Sequence, residues 1–290
     1  MIRFFCLASG NTHLDMLERV AVRSLAQSRN RAAIPHDAVF SLYTDKISEA
    51  RGESILSALG RVEITRIEFG SAGECLHNAL IAEIKRCVAL GVPMIMAPPD
   101  TFWGDGSLGN LIASAGDARI CVAATHARVE TEAFLNAIPE EDIDNPALVG
   151  IAMKTLHATW RDAFADLDRT NTWWSGTSIR QISQNLWSVQ HFLPTVYYAH
   201  FTEGDIHFFE AAKRFGQWDH HWPAMLVRHQ RHRVIGSSDA VFMAELTEPN
   251  RNIPPLTKRW PGEADRYRGR ETHHGVNRNT IFIWRANEPI

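Results

Sequence analysis

The 290-residue chain reads as an α/β protein: a mainly parallel central sheet between two helical layers, then a second half rich in helices and loops. Three observations lead there. Over the first 125 residues, short β-rich runs alternate with segments whose apolar residues recur at helical spacing, as in successive βαβ units. The first of these runs, residues 2–8, is apolar at nearly every position and reads as a buried strand. Each run closes on turn-forming or polar residues, so the loops gather at the strands' carboxyl ends.

Residues 2–8 form the first strand. Ser9-Gly10-Asn11-Thr12 follows as a turn cluster ending in a helix N-cap, and Leu14, Leu17, Ala21 and Leu25 line one helical face. Residues 39–43 are the second strand, terminated by Thr44-Asp45. A helical segment over 48–59 leads through Gly60 to a third strand at 62–69. Ser71-Ala72-Gly73-Glu74 is a capping box ahead of the stripe Leu76, Leu80, Ile84 and Cys87, which ends at Gly91. The fourth strand, 93–97, runs into Pro98-Pro99-Asp100; the prolines stop the ladder and leave Asp100 just beyond the strand. Asp105-Gly106-Ser107 is a turn feeding a short helix, and 119–124 is a fifth strand.

Beyond this point the alternation stops. Leu148, Ala152, Leu156 and Ala163 predict a helix, 172–176 an aromatic loop, 179–189 a further helix, and 196–199, 234–235 and 240–244 short strands. Three stretches result: a sheet-bearing half at 1–135, a second half of the same domain at 136–248, and a tail at 249–290. The tail holds Pro254-Pro255 and Pro261-Gly262 and reads as an extended wrap with a final strand at 281–284. Its segment from Pro249 to Asn279 carries seven basic and three acidic residues, +4 in a chain of net charge −3.

That near-neutral balance argues against a nucleic-acid binder. No apolar stretch approaches the ~18 to 20 residues of a membrane span. Cys6, Cys75, Cys87 and Cys121 each sit in an apolar run with no Cys-x-x-Cys spacing, which predicts buried thiols in a reducing cytoplasm.

In an open parallel sheet, ligands bind outside the carboxyl ends of the strands. That rule collects 9–12, 44–45, 98–106 and 125–128 onto one rim. Ser9, Gly10, Asn11 and Thr12 offer small side chains and backbone N–H groups, without a Gly-x-Gly-x-x-Gly or P-loop pattern. Asp45 suits a ribose or base hydrogen bond, and equally a helix N-cap. Asp100, with Asp105 five residues on, suits a divalent cation held against a diphosphate. Arg128, Arg228, Arg231 and Arg233 are candidate phosphate ligands. Trp218-Asp219-His220-His221-Trp222 is the densest polar and aromatic cluster, and only one of its two imidazoles can share a site if the segment is a strand.

The strand, polar loop and helix of residues 3–25, the strand ending in Tyr43-Thr44-Asp45, and Met94-Ile95-Met96-Ala97-Pro98-Pro99-Asp100 with Asp105-Gly106-Ser107-Leu108 resemble the GT-A fold of nucleotide-sugar glycosyltransferases over about the first 130 residues. The resemblance implies a GT-A-like three-layer α/β/α sandwich and a cytoplasmic transferase; the charge of the basic tail suits either closing over the donor or touching the anionic inner membrane surface. Its donor would be a nucleotide diphosphate sugar and its acceptor a glycan or lipid-linked sugar of cell-surface polysaccharide. Residues 1–135 would bind the donor, through Ser9 to Thr12, Asp45, Asp100 and Arg128. Mn²⁺ or Mg²⁺ would be held by Asp100, Asp105 and His220 or His221. Trp173, Trp174, Trp218 and Trp222, within 136–248, would face the acceptor, and Asp239 or Glu245 would take its proton. The family's Asp-x-Asp is here Pro98-Pro99-Asp100, one carboxylate instead of two, which leaves open a metal held differently or no metal, with Arg128, Arg228, Arg231 or Arg233 neutralising the diphosphate. Two other classes stay open: a noncatalytic nucleotide-binding or assembly protein, and a metal-dependent hydrolase using the histidine-rich second half.

Overall fold

The computed structural model describes residues 1–68, 72–116, 119–161, 177–191, 195–212, 221–249 and 281–288. Its central sheet has seven strands in the order β3-β2-β1-β4-β10-β6-β11. These are β1 (Arg3–Leu7), β2 (Val39–Thr44), β3 (Arg61–Arg66), β4 (Met94–Met96), β6 (Cys121–Ala124), β10 (Thr195–Ala199) and β11 (His232–Ile235). Among them β10 alone runs antiparallel, pairing with β4 and β6. The apolar runs explain this placement: β1, β2, β4, β6 and β10 are buried at nearly every position, so both sheet faces are covered.

The chain steps outward from β1 to β2 to β3 and then returns across β1 to form β4. Right-handed crossovers put the connecting helices of the two directions on opposite faces. On one side lie α1 (Gly10–Met16), a π-helical turn (Leu17–Val22), α2 (Arg23–Leu25), α3 (Ser28–Ala33) and α4 (Glu49–Ser57). On the other lies α5 (Ala72–Leu90), whose Glu83 is fully buried under the sheet. There Glu83 accepts hydrogen bonds from Arg3 Nε (2.6 Å), Ser41 Oγ (2.6 Å) and Tyr43 Oη (2.9 Å). A buried carboxylate persists only when so paired.

A second sheet, β5-β12-β7, branches from the rim of the first. Its strands are β5 (Thr101–Trp103), β12 (Met243–Thr247) and β7 (His126–Glu130). A third, β13-β9-β8, comprises β13 (Ile281–Arg285), β9 (Leu186–His191) and β8 (Thr177–Ser183). The remaining helices are α6 (Ser107–Ala115), α7 (Thr131–Ala137), α8 (Asn145–Lys154), α9 (Ala158–Arg161), α10 (Glu203–Ala212) and α11 (His221–Arg228). One apolar cluster surrounds the seven-stranded sheet. A second joins the two smaller sheets to α7, α8 and α9 through Phe134, Leu148, Trp160, Trp187 and Trp284.

The expected α/β class, the mainly parallel sheet and the final strand are all present. Three local expectations differ. The helix expected over 179–189 is the hairpin β8–β9; Ile179, Trp187 and Val189 are buried at two-residue alternation, and the tight turn between the strands uses Gln184 and Asn185. Residues 98–106 and 125–128, read as loops, contain β5 and the start of β7, short strands that form only because β12 pairs with both. The single helix expected from Leu148 to Ala163 breaks after Lys154, and α9 follows as a separate turn. Ser71 of the expected capping box and residues 250–280 of the tail lie outside the described residues.

Candidate functional site

Because the strand order reverses between β1 and β4, their carboxyl ends diverge into different loops and leave a crevice between them. Ser9 stands at the end of β1 and Asp100 just past β4. The two ends are close enough that Cys6, already pushed up to about 12 by burial, also feels the charge of Asp100.

The β1 and β2 loops are tied together. Asp45 accepts hydrogen bonds from Ser9 Oγ (2.5 Å), Ser48 Oγ (2.8 Å) and the backbone N–H groups of Ile47 (2.8 Å) and Ser48 (2.9 Å). Ser48 Oγ in turn accepts from Gly10 N–H at 2.8 Å. The Ser9 bond, with the others, holds Asp45 well below the usual carboxylate range. Asp45 therefore braces two rim loops whatever else it meets. Gly10, at φ 72° with open space around its Cα, supplies the left-handed residue that starts α1. Asn11 and Thr12 are exposed on that first turn.

Asp105 has a different placement from the one its spacing suggests. It is 5% exposed, and its Oδ1 accepts from the backbone N–H groups of Arg29 (2.9 Å) and Asn30 (2.9 Å). Its Oδ2 accepts from Arg29 Nε at 2.9 Å. A carboxylate from a distant loop thus caps α3, satisfying N–H groups that the helix itself leaves open. The neighbouring Gly106, at φ 94°, turns the chain into α6. Asp105 is committed to this cap, which corrects its expected pairing with Asp100 as a metal clamp. Among the described residues no group of three or more His, Cys, Asp or Glu side chains is arranged to hold a metal ion.

β12 brings a second charged group alongside the Asp100 loop. The carbonyl of Asp100 accepts from Leu246 N–H at 2.8 Å, while Glu245 pairs in register with Thr101 on one side and Arg128 on the other. Glu245 Oε2 lies 3.1 Å from His126 Nε2, and its Oε1 accepts from Arg128 Nη2 at 3.0 Å. His126 and Arg128, two apart on β7, project from one face toward it. Burial alone would raise the Glu245 carboxyl; the bond to His126 and the charge of Arg128 outweigh it and hold the group ionised. Trp160 lies 5.7 Å and Tyr197 6.3 Å from the His126 ring, and Trp160 stacks on Trp284 at 5.9 Å, so aromatic rings wall the trio. His126 is the member the sequence reading missed. Its two-residue spacing from Arg128 was the available signal, obscured by taking the segment as a loop.

Asp239 lies past β11, the far edge of the rim, 41% exposed and 3.2 Å from Arg285. Trp222 is fully buried, stacked on Phe201 with its indole N–H on Asp205 at 2.8 Å. It packs α11 against the core and presents no ring to an acceptor, which corrects its expected role. Arg231 is likewise engaged, donating to Asp205 at 2.9 Å and to the carbonyl of His200 at 2.6 Å. Arg233 donates to the carbonyl of Ser114, and Arg228 lies exposed at the end of α11. Trp173, Trp174, Trp218 and His220 lie outside the described residues; the backbone of His221 begins α11, and its side chain is not described. No described helix is long and apolar enough to cross a membrane.

No protein-family model matches the chain, and no curated protein does. Among solved structures, it is similar to S. aureus TarS 1-349, at TM-score 0.33 and 10% identity over 44% of this chain and 36% of that one. Mouse xyloside xylosyltransferase 1 gives TM-score 0.31 and 12% identity over 43% and 53%. The 4-diphosphocytidyl-2C-methyl-D-erythritol synthase of Anaerococcus prevotii gives TM-score 0.31 and 12% identity over 43% and 54%. The chain thus spans between about a third and about half of the structures it matches.

Proposed function

We propose that this protein is a glycosyltransferase that moves a sugar from a nucleotide diphosphate donor to a glycan or lipid-linked acceptor. One observation carries the reading: the loops braced by Asp45 and the Asp100 loop flank the crevice where strand order reverses, with Glu245, His126 and Arg128 beside it. In this reading Ser9 to Thr12 and the Asp45 brace shape the nucleoside end. The charged trio and Asp100 lie toward the diphosphate and the sugar.

The chemistry needs little beyond positioning and charge. An acceptor hydroxyl loses its proton to a carboxylate as its oxygen attacks the anomeric carbon. The bond from that carbon to the diphosphate oxygen breaks, and the nucleoside diphosphate leaves with the electron pair. Glu245 is held ionised with both oxygens engaged, a poor proton acceptor whose part is to orient His126 and Arg128. Asp239, exposed past β11, takes the proton. A divalent cation would neutralise the leaving diphosphate, but Asp105, with both oxygens engaged at α3, does not fit the clamp expected for it.

Calorimetric titration with a panel of nucleoside diphosphates and their sugars tests the reading, followed by product analysis with candidate acceptors. Saturable binding of one nucleotide series, with slow release of sugar from its diphosphate ester, is the expected result. Binding without sugar release or transfer moves the assignment to a noncatalytic nucleotide-binding protein. Failure of every nucleotide to bind refutes it.

A further inference from the structure

We infer that this rim meets the charge of an anionic leaving group with the Arg128 guanidinium rather than with a cation clamped by Asp100 and Asp105, an inference that rests on the transferase reading above.

The carboxylates of Asp105 and Glu245 are already in use. A hard divalent cation takes several oxygen ligands and usually shares one or two protein carboxylates with substrate phosphates. Position 98, where a first acid would stand, is Pro98. Asp105 is buried and holds three donors, two of them backbone N–H groups of α3. Recruiting it to a cation would uncap that helix and strand the buried N–H of Asn30. Glu245 has its two oxygens on His126 and Arg128. Of the expected clamp, position 98 carries no acid and Asp105 is engaged at both oxygens.

The cation side points to Arg128. Guanidinium presents five N–H donors in a planar fork suited to phosphate. Among the described residues Arg128 uses one nitrogen, Nη2 on Glu245, and its buried Nε has no acceptor. Its side chain is 28% exposed, on the strand that continues directly from the carboxyl end of β6. One strand, β10, separates β6 from β4 and Asp100. In the second sheet Thr101, next to Asp100, and Arg128 pair with Glu245 from opposite sides, so at ~4.8 Å per strand their backbones lie about 10 Å apart, a span a diphosphate with its sugar can bridge. Three other arginines are engaged elsewhere: Arg29 on Asp105, Arg66 on Glu49, and Arg231 on Asp205. Glu245 shares its charge between Arg128 and His126, so Arg128 can turn part of its fork to an incoming phosphate while His126 keeps Glu245 paired.

The test is calorimetry on the wild type, Arg128→Gln and Arg128→Lys, titrated with UDP, GDP, CDP and ADP and with the parent nucleosides. Each titration is run in EDTA and again with Mn²⁺, and thermal melting confirms that the variants are folded. Diphosphate affinity is expected to agree within about twofold between EDTA and Mn²⁺. Arg128→Gln is expected to weaken diphosphate binding by about tenfold or more and leave nucleoside binding unchanged, with partial recovery in Arg128→Lys, which keeps the charge without the fork. Binding of diphosphate that requires Mn²⁺, or is indifferent to Arg128→Gln, overturns this inference while the transferase reading stands. Absence of nucleotide binding under every condition overturns both.

Discussion

Replacing Asp105 by alanine separates a helix cap from a metal ligand. The substitution removes the acceptor of two backbone N–H groups at the start of α3, at Arg29 and Asn30, and the partner of the Arg29 guanidinium. Losing a cap costs about 1 to 2 kcal/mol. The Asn30 N–H is buried and would be left without its acceptor, which adds about 1 to 2 kcal/mol. Arg29 is 62% exposed, so the ion pair itself adds little. The sum is about 2 to 4 kcal/mol. With a urea m-value of about 3 kcal/mol/M for a chain of this size, the unfolding midpoint falls by about 1 M. Asp105→Asn keeps one carbonyl acceptor for the two N–H groups and is expected to cost about half as much. Urea denaturation followed by tryptophan fluorescence measures both, and nucleotide titration of the folded variants runs beside it. An Asp105→Ala protein as stable as wild type that loses Mn²⁺-dependent nucleotide binding would refute the cap and restore the metal reading.

Other perturbations probe the frame around the site. Trp222→Ala should cost about 3 to 5 kcal/mol in urea denaturation, as emptying a buried aromatic site does; Trp222→Phe should keep nucleotide affinity, and a loss there would place the ring in the site after all. Glu83→Ala leaves Arg3 buried without its main partner, and a drop of about 3 to 5 kcal/mol is expected, with a drop under about 1 kcal/mol counting against the buried network. Burial holds His232 down to about 4, so the unfolded chain binds its proton near pH 6.5 and the folded chain does not. Stability should therefore fall as pH drops from about 6.5 to about 4, by at most about 3 kcal/mol, and His232→Leu should flatten that slope. Equal slopes in the two proteins would assign the pH dependence to other groups.

The parallel half was legible because its physics is local. Strands buried on two faces are apolar at most positions, as in Phe4, Phe5 and Cys6 or Val39, Phe40 and Leu42, and the helices between them carry one-sided stripes. Pro98 and Pro99 end β4 by chemistry visible in the sequence, and so place Asp100. The hairpin β8–β9 was misread because its polar positions, such as Arg180 and Gln181, left too few apolar residues to distinguish a period of two from a helical one. β5 and β7 have too few residues to declare themselves, and exist through pairing with β12, more than a hundred positions away.

The candidate site divides the same way. By itself the sequence determined the class of fold, the rim and the loops that meet there, since strand order and loop chemistry follow from patterns a few residues long. Only the tertiary structure decided what each polar side chain on those loops is used for. Asp105 and Asp100 differ little in sequence context, yet Asp105 meets the start of α3 from a segment some 75 positions away and becomes a cap. Trp222 sits beside His220 and His221 in the chain but is drawn into the core by Phe201 and Asp205. Glu245, His126 and Arg128 form one charged group only because β12 closes beside β7. Long-range pairing decides such roles, because a buried polar group takes whichever partner the fold brings to it.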